Sequence, residues 1–348
     1  MGQMSQTSGR RRSVRISDVA AAAGVSKTLV SYALNDRPGV KASTRAHIVE
    51  TARSMGWTPS MQARALSVSR AYAIGLVFET SPEALASDQY YTSLMAGLQS
   101  VLSASRYSLV TEVVDSPEAE REAYLRLARD GRVDGMVIAD LRQDDPRFAL
   151  VREAGLAYAS LGWPPEPTTM PVLVYDESQA IRDVVEHLAA LGHKRVAQVV
   201  GPQANAPARL RRELYEKLFA EHRIKSRWVE SDYTAAGGRA ATTRLLGGRF
   251  APTAIVYSND LMAVAGMSAA FARGLRVPED ISVVGWDDIT VSQYLHPALS
   301  TVTQHPFDDG RMAATMLLEA IEGREFDEPT WTPNPRFIPR ESSGPAAR

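Results

Sequence analysis

Between Val14 and Met55, apolar residues recur at helical spacing in three short bursts. Ile16, Val19, Ala20, Val25, Val30 and Leu34 form two stripes interrupted at Gly24, a residue free to take the positive φ of a tight turn. The pattern predicts two short helices that share one apolar seam. Ser26 is placed to cap the second, and Lys27, Thr28, Ser31 and Tyr32 fall off the seam. A third helix is expected from Ser43, acting as its cap, to Met55, burying Ile48, Val49 and Ala52. Any small, alanine-rich helical hairpin can show this spacing. With the third helix it reads as a helix-turn-helix, whose second helix enters the major groove, where base edges differ in donors and acceptors.

From Tyr72 onward the periodicity changes. Short apolar runs alternate with amphipathic segments: AIGLVF, then Tyr91 to Ser105; YSLVTEVV, then Pro117 to Arg129; DGMVIAD, then Pro146 to Ala154; LAYASL, then the turn WPPEPTTMP. A second set runs VLVY, Ser178 to Leu191; RVAQVVG, Leu210 to His222; TAIVYSND, Met262 to Arg273; and ISVVGWDD. Repeated βα units predict parallel strands with helices on both faces, here as two α/β lobes in tandem. LSTVTQH is strand-like, a helix follows from Asp308 to Glu322, and one of the two is expected to return to the first lobe. The end beyond Thr330, with Pro333, Pro335 and Pro339, reads as a strand edge and an irregular tail. In open parallel sheets ligands bind beyond the carboxyl ends of the strands, so the polar residues that end strands matter most.

Charge adds a division that the net value of −1 hides. Residues 1–70 hold 11 Lys or Arg against 3 Asp or Glu, and the remainder holds 28 against 37. The basic end is therefore the nucleic-acid candidate, with the acidic bulk expected to point away from phosphate. Arg10, Arg11 and Arg12 read as a solvated arm. The start has no apolar signal-peptide core, and the chain has no apolar run long enough for a membrane span, so a cytoplasmic protein with no membrane partner is expected. Zero cysteine removes disulfides, thiolate catalysis and cysteine-ligated zinc. A Walker loop, G-x-S-x-G, H-E-x-x-H and clustered histidines are all absent from the sequence, which argues against an enzyme. No catalytic residue, metal ligand or cofactor is expected, and His193 in LGHKR is expected to be structural.

Four separated segments, SDVAAAAGVSKTLVSYALN, TPSMQARALSV, HLAALGHKRVAQVVGP and SNDLMAVAGMSAAFARGLRVPEDISVVGWDD, resemble the lactose-repressor (LacI/GalR) family in order and spacing. The resemblance covers essentially residues 14–340. It implies an α/β fold class: an N-terminal all-α helix-turn-helix module, a hinge helix, and a two-lobed periplasmic-binding-protein-like core. The corresponding domains are a disordered basic arm at 1–13, the helix-turn-helix domain at 14–58, the hinge at 59–70, the core at 71–340 and a tail at 341–348. Within the core, the first lobe is about 71–174 and 305–332, the second about 175–304 and 333–340. The resemblance further implies a homodimer that reads a pseudopalindromic double-stranded DNA operator, mostly as a repressor, and a small-molecule effector in the cleft.

On that resemblance, Lys27, Thr28, Ser31, Tyr32 and Asn35 fall on the reading helix, with Tyr32 departing from the family's arginine or histidine. Lys41, Thr44 and Arg45 fall at phosphate contacts, although Arg45 equally suits an exposed salt bridge. Leu66 matches a minor-groove wedge, Ala63 the small residue beside it, and Arg64 a phosphate contact. In the cleft the matched positions are Tyr90, Tyr91, Arg211, Tyr233, Asn259, Asp287 and Gln304, with Arg209 and Arg212 as competitors of Arg211. An arginine fork, carboxylate, carboxamide and aromatic walls suit a sugar, whose hydroxyls both donate and accept. A nucleoside or small carboxylate is also compatible, as is a purely structural Asp287–Arg211 pair. YDESQA and RRELYEK depart from the family pattern at the cleft rim. With no leucine heptad after Arg340, no tetramerising tail is expected.

Overall fold

The computed structural model describes residues 14–34, 38–57 and 70–347. The chain divides into two compact units, Met1–Arg70 and Ala71–Arg348. In the first unit, α1 (Ile16–Ala23), α2 (Lys27–Leu34) and α3 (Ala42–Ser54) close on a small core. Val19 and Val30 are fully buried there with Ile48, and Ala20, Ala23, Ala33 and Ala52 fill the space between helices. Gly24 ends α1 with φ 65°, the left-handed conformation that the turn requires. The Ser26 hydroxyl accepts from the Leu29 N–H at 3.2 Å, as a capping serine does. Two details differ from the sequence reading. The third helix begins before Ser43, with Lys41 as the residue preceding it, and Val49 is 46% exposed because Ile48 and Ala52 take the inward face.

The second unit holds two parallel sheets. The first lobe contains β1 (Ala73–Glu79), α4 (Pro82–Ser87), α5 (Gln89–Ala104), β2 (Ser108–Val114), α6 (Pro117–Arg129), β3 (Gly135–Ile138), α7 (Arg147–Glu153), β4 (Ala157–Leu161) and β5 (Val172–Val174). The second lobe follows with α8 (Ser178–Ala190), β6 (Arg195–Val200), α9 (Ala206–Glu221), β7 (Lys225–Glu230), α10 (Ala235–Leu246), β8 (Ala254–Tyr257), α11 (Asp260–Phe271) and β9 (Ser282–Val284). The chain ends with β10 (Thr301–Thr303), α12 (Pro306–Ile321), β11 (Thr330–Trp331) and β12 (Arg336–Ile338). The first sheet has the order β11-β5-β4-β3-β1-β2 and the second β7-β6-β8-β9, both parallel throughout. The strand order of each sheet switches sides at an inner strand, β1 in the first and β6 in the second, leaving a crevice at the carboxyl ends of the strands.

The strands β1, β3, β6 and β8 are buried on both faces, as continuous Val, Ile and Leu runs require. Their packing partners are apolar helix stripes. Leu94, Leu98 and Leu102 of α5 meet Ala313, Ala314 and Leu317 of α12, which thus joins the first-lobe core. Gly97 and Gly310 permit this close approach: a Cβ on Gly97 would lie 2.0 Å from the Phe307 carbonyl oxygen, and one on Gly310 2.3 Å from that of Leu94. In the second lobe Val184, Val185, Leu188, Phe219 and Trp286 fill one face of the sheet, and Ile255, Tyr257, Met262 and Leu299 the other.

Two second-lobe elements escaped the sequence reading, β7 and α10. Lys225, Ser226, Arg227 and Glu230 make β7 a polar edge strand, and Gly237 and Gly238 weaken the helical signal of α10. Several boundaries also moved. α9 starts four residues before Leu210 because Asn205 caps it, accepting from the Ala208 N–H at 3.0 Å, and Pro207 sits in its first turn. α11 starts before Met262 for a similar reason, with Asn259 as its cap. The end of the chain is packed rather than irregular. β12 pairs antiparallel with β10, and Ser342, fully buried, accepts from the Ser300 N–H and donates to the Val283 carbonyl.

Candidate functional site

The seven residues matched in the cleft converge on one cavity at the carboxyl ends of the strands, between the two lobes. Tyr90 and Tyr91 enter from the first turn of α5, Arg211 from α9, Tyr233 from the loop after β7, and Asn259 from the cap of α11. Asp287 follows β9, and Gln304 lies in the crossover after β10. The polar residues Asp88, Asp140, Tyr175, Asn205 and Ser258 also line it, beside Leu161 and Pro207, none of them singled out from sequence. The signal for two of these was present, since Asp140 and Tyr175 directly end strand-like runs. Asn205 was hidden by the late start assigned to α9, and Asp88 by that assigned to α5.

Arg211 pairs with Glu177 and not with Asp287. Its Nε donates to Glu177 Oε2 at 2.8 Å and its Nη2 to Oε1 at 2.5 Å, a bidentate fork. The guanidinium also lies 3.7 Å from the Trp286 ring centroid, and Trp286 is fully buried behind it. Arg211 is 8% exposed, and its carboxylate partner keeps it protonated despite the burial. Of its competitors, Arg212 is engaged elsewhere, bonded to Gln203 and Glu216 and over the Trp228 ring.

Asp287 accepts from Gln304 Nε2 at 2.6 Å, and its backbone N–H donates to the Val302 carbonyl at 2.7 Å. Burial pushes the Asp287 carboxyl well above the usual range, helped by the nearby charges of Asp88 and Asp260. Asp88 rises to about 6, mainly through burial and partly through Asp140, although its carboxylate caps α5 by accepting from the Tyr90 N–H at 2.8 Å. Burial also raises the phenols of Tyr90, Tyr91, Tyr175 and Tyr233, which therefore present O–H donors at neutral pH. The Tyr91 hydroxyl donates to Asp140.

Asn259 is largely committed to the fold. Its Oδ1 accepts from the Met262 N–H at 2.9 Å and its Nδ2 donates to the Tyr233 carbonyl at 3.0 Å, so it positions Tyr233 while lining the wall. Gly201 does so as well, because a Cβ there would fall 2.1 Å from the Tyr233 ring. Asp140, Tyr233 and Asp287 all hold positive φ, at 50°, 63° and 112°. Left-handed conformations in non-glycine residues each store about 1–3 kcal/mol, and such strain gathers at binding sites. Asp288 also has positive φ, 53°, and is bound to Arg340. His193 is structural, bonded to the Thr253 hydroxyl at 2.9 Å and the Gly344 carbonyl at 3.1 Å.

Two hydrogen bonds beside the cavity run from one lobe to the other. The Ala206 N–H donates to the Leu141 carbonyl, and the Thr290 N–H donates to Gln89 Oε1 at 2.7 Å. A wider mouth of about 390 Å³ adjoins, lined by Phe78, Glu79, Arg142, Arg147 and Asp232 among others. Arg142 is held by Glu79 and Glu120, and Arg147 by Asp145 and Glu120.

In the first unit, Lys27, Thr28 and Tyr32 are exposed on α2 and Ser31 is half-buried. Lys41 is exposed just before α3, and Thr44 and Arg45 are half-buried in its first turn. Arg45 donates to the Ala33 carbonyl at 3.3 Å, bonding to the end of α2. Asn35, Ala63, Arg64 and Leu66, with the basic arm and the expected hinge, lie outside the described residues. No helix among the described residues is long and apolar enough to cross a membrane, and those residues contain no cluster suited to a metal ion.

Residues 15–60 match the lacI family of bacterial regulatory proteins, and residues 185–343 match a periplasmic binding protein-like domain. The protein of Bacillus subtilis (strain 168) named "Probable HTH-type transcriptional repressor ExuR" is 31% identical over 333 residues, spanning 94% of this chain and 98% of its own. The HTH-type transcriptional repressor PurR of Proteus mirabilis (strain HI4320) is 30% identical over 345 residues, spanning 94% and 96%. Among solved structures, the Lac repressor dimer bound to operator and the anti-inducer ONPF superposes with a TM-score of 0.80 at 28% identity, covering 96% of this chain and all of that one. The transcriptional regulator CelR in complex with cellobiose gives 0.71 at 27% identity, covering 94% and 99%. With a helix-turn-helix match over residues 15–60, two doubly wound lobes and relatives matched along nearly their whole length, the chain belongs to the LacI family of DNA-binding bacterial transcriptional regulators.

Proposed function

We propose that this regulator is a repressor that binds a pseudopalindromic operator as a homodimer and responds to a sugar in the interlobe cleft. The observation that carries the reading is the convergence of Tyr90, Tyr91, Arg211, Tyr233, Asn259, Asp287 and Gln304 on one strained, polar, aromatic-walled cavity between lobes. Directional donors and acceptors set among rings suit hydroxyls and C–H faces together. The cellobiose complex of a structural neighbour supports a sugar. On the DNA side, Lys27, Thr28, Ser31, Tyr32 and Asn35 are assigned to base edges, and Lys41, Thr44 and Arg45 to phosphates. Ala63, Arg64 and Leu66 are assigned to the minor groove. Lobe closure would bias an ordered or disordered hinge, so DNA affinity would follow the effector. The assigned domains are those of the sequence reading, 14–58, 59–70 and 71–340, and the site of action is the cytoplasm.

Operator affinity measured against a sugar panel at fixed salt tests this reading. A change of about tenfold or more with one sugar, corresponding to about 1.4 kcal/mol of coupling, is expected. Affinity that ignores every sugar sinks it in favour of an effector-independent regulator. The self-contained Arg211–Glu177 pair is the feature that favours that second reading.

A further inference from the structure

We infer that Glu177 is a specificity residue that closes the cleft to anionic ligands and reserves it for uncharged polyhydroxylated ones. The inference rests on the effector reading of the cleft and narrows its ligand class.

Arg211 is the one base lining the inner cavity among the described residues. Its charge is already matched, because Glu177 takes the Nε and one Nη2 proton in a bidentate fork and is only 14% exposed. Two of the five guanidinium N–H donors are thus used, and the remaining three can still donate to a neutral oxygen. A ligand carboxylate or phosphate would have to compete with Glu177 for a cation in a poorly hydrated space, where removing the partner strands a buried charge.

The rest of the wall adds to this exclusion. Asp88, Asp140 and Asp287 line the same cavity, and no free cation among the lining residues offsets them. At the mouth, Arg142 and Arg147 are held by Glu79, Glu120 and Asp145. An anion therefore meets the like charge of Asp88 and Asp140 at close range, where water screens poorly, and Asp287, which burial holds toward its un-ionised form, supplies no counter-charge. A hydroxyl meets acceptors on three carboxyls, donors on Tyr90, Tyr175 and Tyr233, and the open edge of Arg211.

The test uses the full-length protein, calorimetry and thermal shift at constant ionic strength. The probes are neutral hexoses, pentoses and disaccharides, with the uronate of each hexose. A neutral sugar is expected to bind wild type at least tenfold more tightly than its uronate. Glu177→Gln should narrow that ratio at least tenfold by strengthening the uronate. Asp88→Asn, which keeps a capping side chain and leaves the Arg211 pair untouched, should narrow it in the same direction if Glu177→Gln does not fold. A uronate that binds wild type as tightly as its parent sugar, or a ratio unmoved in the folded variants, overturns the inference while the effector reading stands. Binding of no probe to wild type or either variant removes both together.

Discussion

The backbone N–H of Ala206 donates to the carbonyl of Leu141 at 2.8 Å, joining the first turn of α9 in one lobe to the chain after β3 in the other. Opening the cleft must break this bond. Ala206 is the first residue of α9, a position where proline removes the N–H without disturbing helix geometry. Ala206→Pro is therefore expected to favour the open form and weaken sugar binding by about 1 kcal/mol, roughly fivefold in Kd. Titration calorimetry checks this, and an unchanged Kd would show that the bond does not hold the lobes.

Arg211→Ala strips the partner from a buried Glu177 and the cation from the Trp286 face. Breaking such a pair destabilises by roughly 3–5 kcal/mol, so urea unfolding of the core should shift to lower midpoint as effector response is lost. A double-mutant cycle with Glu177→Ala should return a coupling well above the ~1 kcal/mol of an exposed ion pair. A coupling near zero would mean that the pair is solvated.

Gly97→Ala drives a methyl to 2.0 Å from the Phe307 carbonyl, where α5 and α12 touch. Overpacking of this kind costs about 1–3 kcal/mol. Thermal unfolding of the variant should fall accordingly; an unchanged midpoint would show that the helices separate freely.

Acid weakens the docking of the C-terminal segment. Burial holds His187 and His193 below their ordinary value, and they bond to Ser343 and Gly344. Their unfolded forms bind protons more readily, so their contribution is complete above about pH 6.5 and is lost as pH falls below it. Asp260 and Asp309, raised to about 6 by burial, act in the opposite sense, since folding gains as they protonate between about pH 6 and 4. The histidine limb is isolated by difference. The stability advantage of wild type over His193→Asn should shrink as pH falls from about 7.5 to 5, and a constant or growing advantage contradicts the assignment.

On the DNA side, Lys27 is exposed and Val30 fully buried, so their substitutions should separate. Lys27→Ala should weaken operator binding by about 1–3 kcal/mol and relax base preference without loss of stability. Lys41→Ala should weaken all sequences alike and reduce the salt slope by about 1. Val30→Ala should lower the stability of the three-helix unit, read by circular dichroism on the full chain. Equal effects of Lys27→Ala on specific and non-specific DNA would remove Lys27 from base reading.

The three-helix unit was legible because its signals are local: the spacing of Val19, Ala20 and Val30, the turn at Gly24 and the cap at Ser26 all act within a few residues. The parallel lobes were legible for the same reason, since strands such as Gly135–Ile138 must be apolar on both faces. β7 and α10 were not, because an edge strand has one solvated side and Gly238 answers to a distant neighbour. A Cβ at Gly238 would lie 2.6 Å from the Met262 backbone.

The sequence by itself determined the helix-turn-helix, the two α/β lobes, and seven residues that reach one cavity. Only the tertiary structure decided that Arg211 spends its charge on Glu177, that Asn259 is a cap before it is a wall, and that residues 342–346 pack into the second lobe. The physical reason is range. Periodicity and caps depend on neighbours a turn away, whereas an ion pair across 34 residues or a hydrogen bond across 151 exists only when distant segments fold to meet.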